Sequence, residues 1–130
     1  MDYQEFFIET GRLFYAVAMA DGEVQPSEQS LILDIIRRNL KELESSSDAF
    51  GTANAYYTEF EMERLIDFKV EPIEAFNSFV DFATENLSDI SPELRLQLLQ
   101  MAENVAESWN GVEHSEHDLL ERLKKTLGVK

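Results

Sequence analysis

The run Ala16-Val17-Ala18-Met19-Ala20-Asp21-Gly22-Glu23-Val24-Gln25-Pro26-Ser27-Glu28 constrains the fold more than any other part of this chain. It joins an apolar helix end, a tight turn and a proline-led helix start through acidic residues. A fainter copy runs from Met101 through Val105, Trp109, Asn110 and Gly111 to Glu113 and Glu116. Two helix-turn-helix units of one design, near opposite ends of 130 residues, predict an all-α fold. The expected architecture is a compact single-domain helical bundle of two pseudo-repeated helix-turn-helix halves. One domain spanning 1–130 suits this length, and such a domain buries roughly two thirds of its unfolded surface.

Helical periodicity runs through the rest of the chain. From about Asp2 to Ala20, Tyr3, Phe7, Phe14 and Val17 form an apolar stripe, leaving Glu5, Glu9 and Arg12 for the solvent face. Gly11 costs this helix about 1 kcal/mol relative to Ala, which predicts close approach by another helix. Pro26 opens a segment carrying Leu31, Ile32, Ile35, Ile36, Leu40 and Leu43, which Ser45-Ser46-Ser47-Asp48 interrupts. Ala53, Tyr56, Tyr57, Phe60, Leu65 and Phe68 then suggest one longer or two broken helical pieces. Pro72 opens a helix with Phe76, Phe79, Val80, Ala83 and Leu87 on one face, closed by Ser88-Asp89-Ile90-Ser91. Ser91-Pro92 starts the next, where Leu94, Leu98, Met101, Val105 and Trp109 make a clean stripe that puts Trp109 in the core. The last helix has Glu113, Glu116 and Asp118 at its start and Arg122, Lys124 and Lys125 near its end, matching the helix dipole. Leu119, Leu120, Leu123 and Leu127 are its buried face, and Gly128 is its cap.

Composition narrows function. A net charge of −15 and a single basic residue, Arg95, between Lys69 and Arg122 exclude the basic surface that nucleic-acid binding begins from. Such a surface favours cations or basic partners, so a protein partner is expected. No cysteine is present, which removes thiolate metal sites and cysteine nucleophiles and suits a reducing compartment. Asp2, Glu5 and Glu9 stand where a signal peptide needs basic residues, and no apolar run approaches the ~20 residues of a membrane span. The expectation is a cytoplasmic protein without an integral membrane segment.

The first acidic turn has two readings. Gly22 can adopt the left-handed conformation that ends a helix, and Glu28 can act as a capping-box carboxylate for the helix behind Pro26. Alternatively, Asp21, Glu23 and Glu28, with the turn carbonyls, supply hard oxygen ligands for calcium, magnesium or manganese. Asp21, Gly22, Val24 and Glu28 match the second half of an EF-hand loop, but Val17 and Met19 fall on ligand positions of its first half. In the second turn Asn110 stands in place of Asp21, predicting weaker cation binding there.

No catalytic constellation emerges. His114 and His117 are three apart, without a third ligand, and lack the four-residue spacing of a zinc-peptidase helix. They read as solvent-exposed residues at a helix start. Glu59, Glu63 and Asp67 read as a solvated face. A nucleophile elbow and a glycine-rich phosphate loop are both missing from the sequence. No catalytic residue or bound organic cofactor is expected.

The run Ala18-Met19-Ala20-Asp21-Gly22-Glu23-Val24, followed by Glu28, resembles the signature of the TerB-like family, which includes tellurite-resistance protein B and the N-terminal domain of DjlA-type co-chaperones. The resemblance implies a compact helical fold of two pseudo-repeated halves and a non-enzymatic module in membrane-associated stress-response systems. It also implies divalent-metal binding through acidic turn residues, carried here by Asp21, Glu23 and Glu28. Asn110 departs from the acidic pattern, and the His-Pro-Asp motif of a J domain is absent. A metal-independent adaptor or self-associating helical domain is the alternative.

Overall fold

The computed structural model describes residues 2–20, 34, 52–110 and 114–129. Five helices form the described core: α1 (Tyr3–Ala18), α2 (Thr52–Phe68), α3 (Pro72–Asn86), α4 (Pro92–Asn110) and α5 (His114–Leu127), with a 3₁₀ turn at Leu87–Asp89 after α3. There is no strand among the described residues, as helical periodicity throughout predicts.

Local chemistry fixes the helix ends. Asp2 caps α1, its carboxylate accepting the Gln4 backbone N–H at 2.9 Å. Pro72 occupies the first turn of α3, where a missing N–H costs nothing, and the Ser91 hydroxyl accepts the Leu94 amide at 3.2 Å to start α4. The 3₁₀ turn after α3 is held by Arg95, which donates to the Ile90 carbonyl at 2.9 Å and to that of Leu87. The C-termini of α2 and α5 share one hydrogen-bond pattern. Val70 N–H reaches the Leu65 carbonyl and Lys69 that of Ile66, both at 3.2 Å, while Val129 reaches Lys124 at 3.0 Å and Gly128 reaches Lys125 at 3.3 Å. The left-handed residue is Gly128 in the second case, as the sequence predicts, but Lys69, with φ 51°, in the first.

Helix α1 is the hub, touching each of the other four described helices. Phe6, Phe7, Leu13, Phe14, Tyr15, Ala16 and Val17 are fully buried, so the helix is enclosed nearly all round rather than along one stripe. The Phe6 and Phe7 rings meet edge to face at 5.3 Å, and Phe6 also approaches Phe82 of α3 at 6.5 Å. Around the hub lie Phe76, Phe79 and Ala83 of α3, Leu98, Ala102, Val105 and Ala106 of α4, and Leu123 and Leu127 of α5. Arg122 of α5 lies 4.9 Å over the Phe76 ring and donates to the Asn77 side-chain carbonyl at 3.2 Å, fastening α5 to α3.

Two expectations change. Glu9 does not face solvent; it is 4% exposed, and Arg12 is half-buried, because α2 and α3 cover that flank of α1. The segment after Ser45-Ser46-Ser47-Asp48 is one continuous helix rather than two pieces, and Tyr56, Phe60 and Phe68, which suggested it, are exposed. Its buried face is instead Thr58, Glu61, Met62 and Leu65. Apart from Asp34, the segment behind Pro26 lies outside the described residues, as do the capping candidate at residues 45–48 and the Trp109 side chain. The first acidic turn and residues 111–113, the second turn between α4 and α5, lie outside them too.

Candidate functional site

Gly11 is the point from which the polar flank of α1 is built. A Cβ there would lie 2.7 Å from the Thr58 carbonyl oxygen and 3.3 Å from Glu61 Cβ, so α2 approaches as closely as it does only because residue 11 has no side chain. At this crossing the Thr58 hydroxyl donates to the Phe7 carbonyl at 2.6 Å, a bond from one helix to the backbone of the other. The close crossing also brings Glu61 over Arg12.

Arg12 holds three other side chains. Its Nε donates to Glu61 Oε2 at 2.7 Å, and one terminal nitrogen pairs with Glu9 and donates to the Ser78 hydroxyl of α3 at 2.9 Å. Ser78 in turn donates to the Glu9 carboxylate, 2.9 and 3.0 Å from its two oxygens. Arg64, on the outer side of α2, holds the other edge of Glu61 at 2.6 and 3.1 Å. The two carboxylates titrate in opposite directions. Burial pushes Glu9 above the ordinary carboxylate range, opposed by Ser78 and Arg12 and reinforced by the charge of Glu5. Burial also works upward on Glu61, but the hydrogen bonds and charges of Arg64 and Arg12 outweigh it and hold its carboxyl low. Two guanidinium groups and two carboxylates balance, every member has partners, and no reactive group is left over, so this network clamps α1, α2 and α3 together.

A second clamp lies at the far end of α1. Tyr15 OH donates to the Val70 carbonyl, just past the left-handed Lys69. Burial, aided by the negative charge of Glu71, raises the Tyr15 phenol above its ordinary value and keeps it a donor.

The acidic turn begins where this helix stops. Met19 caps α1, its N–H reaching the Tyr15 carbonyl at 2.9 Å, and Ala20 reaches Val17 at 3.4 Å. Asp21, Glu23 and Glu28 lie outside the described residues, as does Gly111 of the second turn. Among the described residues no three His, Asp or Glu side chains are placed to hold one metal ion. His114 opens α5 and His117 lies in its first turn; their side chains are not among those described. Of the spaced acids on α2, Glu63 and Asp67 are exposed as a solvated face requires, and Glu59 is half-buried.

The Arg12 network is absent from the expectations because the bonds that join its three helices link residues 49 to 69 apart. Its one sequence signal is a Glu and an Arg flanking a glycine inside an otherwise apolar helix, where a solvent face would need more charge.

These features define a class: an all-helical domain whose central helix is buried and clamped, with no catalytic set among the described residues. The family model of tellurite resistance protein TerB matches residues 8–130, and the chain belongs to that family. Comparison with curated proteins and with solved structures returned no match. No described helix is long and apolar enough to cross a membrane.

Proposed function

We propose that the chain acts by binding rather than catalysis, as a cytoplasmic TerB-type module that holds a divalent cation through Asp21, Glu23 and Glu28 and serves a stress response together with a protein partner. The observation that carries this reading is the end of α1. Its last turn contains no basic residue, and Asp21 follows two residues after the Met19 cap. A helix C-terminus concentrates negative partial charge, so acids placed there are unfavourable unless a cation neutralises them. Three carboxylates within eight residues form a donor set of oxygen alone, which suits calcium, magnesium or manganese. Family membership supports the same site.

Calorimetric titration of metal-stripped protein with these three cations tests it. Asp21→Ala is expected to weaken binding and leave the helical circular dichroism unchanged. If Glu28 only caps its helix, Glu28→Ala costs on the order of 1 kcal/mol of stability without removing the cation site. No saturable binding at millimolar cation would discard the site in favour of a metal-independent adaptor, a reading supported by the exposed aromatic residues of α2.

A further inference from the structure

Helix α2 turns an unusual face outward. Tyr56, Phe60, Glu63 and Asp67 recur at helical spacing on the side opposite Thr58, Met62 and Leu65, and all four are exposed. Tyr56 is 61% and Phe60 54% exposed, with their rings 5.9 Å apart and inclined by 30°. A helix needs polar residues on its outer stripe, so Glu63 and Asp67 are ordinary there, but a paired aromatic step is not. Neither acid is engaged by a Lys or Arg among the described residues; Arg64 beside them turns to Glu61. The stripe is thus an aromatic step followed, about 10 Å along the axis, by a pair of available carboxylates.

We propose that this stripe docks a basic amphipathic helix of a protein partner, one that presents an aliphatic pair to Tyr56 and Phe60 and, two turns along the same face, Arg or Lys to Glu63 and Asp67. Exposed aromatic rings supply rigid contact area with little entropy to lose. The charge pair sets register and direction, since a helix docked the wrong way round brings its cations to the rings and leaves both carboxylates without partners. Charge complementarity favours such a partner over a second copy: the chain carries −15, so two copies repel, and the stripe offers only acids to itself. This inference stands independently of the cation site, which lies at residues 21–28 and uses none of these residues.

The test uses the full chain and an Ala/Gln-based 20-residue helical peptide with two Leu one turn apart and two Arg one turn apart, the pairs separated by two turns on one face. Fluorescence anisotropy is expected to show saturable binding that weakens at least tenfold in Tyr56→Ala/Phe60→Ala. In Glu63→Lys/Asp67→Lys the preference should switch to the peptide with Glu in place of Arg. Equal binding of a control with its Arg on the opposite face, or no effect of either double variant, overturns the proposal. Because the chain has no cysteine, Phe60→Cys gives one labelling site. Its thiol should react with maleimide as fast in the folded free protein as in urea and become protected once the peptide is raised to saturate this variant, which keeps only the Tyr56 ring. Protection in the free protein that disappears on dilution would assign the stripe to a second copy, and protection that persists would assign it to this chain itself; either result overturns the proposal.

Discussion

Helix α1 is held by different physics on its two sides. Towards α4 and α5 the contact is aliphatic, made by residues such as Leu98, Ala102, Val105 and Leu123, and depends on volume and area. Towards α2 and α3 apolar contact, Phe6 on Phe82 among it, is joined by a polar set: a missing side chain at Gly11, a hydroxyl on a carbonyl, and a guanidinium shared by Glu9, Glu61 and Ser78. Apolar packing tolerates small shifts, whereas a network of directed bonds around buried charge has one arrangement in which all partners are satisfied. The contrast teaches that the apolar side supplies bulk cohesion and the polar side sets how the helices register.

The largest expected effects come from removing the shared cation and from hollowing the aliphatic side. Arg12→Met leaves the buried Glu9 carboxylate with Ser78 alone, and it should cost about 3 kcal/mol in urea denaturation at pH 8, the lower end of the range for broken buried pairs because Arg12 itself is partly exposed. Leu98→Ala on the aliphatic side should cost about 2–5 kcal/mol by cavity formation. The two differ in pH dependence. At pH 5 the Arg12→Met cost should shrink as Glu9 takes up a proton, while the Leu98→Ala cost stays constant. Equal pH profiles would erase the distinction between the two sides.

A smaller effect is expected at the crossing. Gly11→Ala gains about 1 kcal/mol in helix propensity, yet its methyl would stand 2.7 Å from a backbone oxygen of α2, which no rotamer change relieves. The helices must part, stretching the Thr58 to Phe7 bond, for a net loss of about 1–3 kcal/mol read from the urea midpoint. A variant as stable as the parent would mean that the polar side is as plastic as the aliphatic one.

What could be read in advance follows the same division. The aliphatic side was legible because Leu94, Leu98, Met101 and Val105, like Leu119 and Leu123, repeat with the helix itself. Gly11 was legible as a packing site because a glycine inside a helix demands a reason. Glu9 was misassigned because periodicity places charge on the outside by default, and only the fold brings Glu61 and Ser78 to meet it. Gly128 announced its left-handed turn, whereas Lys69 adopts the same conformation without a residue that favours it, held by the backbone bonds of Lys69 and Val70 and by Tyr15 on the Val70 carbonyl. Family membership came through the acidic turn, although the structure describes no part of Asp21, Glu23 or Glu28.

The finest test lies within the polar side, where one guanidinium serves two carboxylates of opposite tendency. In an unfolded chain both would titrate near 4.3. Glu9 is held above that value, so the folded state binds its proton more tightly; its contribution is fully present below about 4.3 and is lost as pH rises through the raised value. Glu61 is held below it, so its contribution is present above about 4.3 and is lost as pH falls through the lowered value. Urea midpoints measured from pH 3 to 8 should therefore rise through the Glu61 window and be drawn down through the Glu9 window. Glu9→Gln should remove only the downward limb and Glu61→Gln only the acid-side rise. If Glu9→Gln instead flattens the acid side, the two carboxylates share the low-pH titration through Arg12 and must be treated as one coupled group, not as a strained partner and a satisfied one.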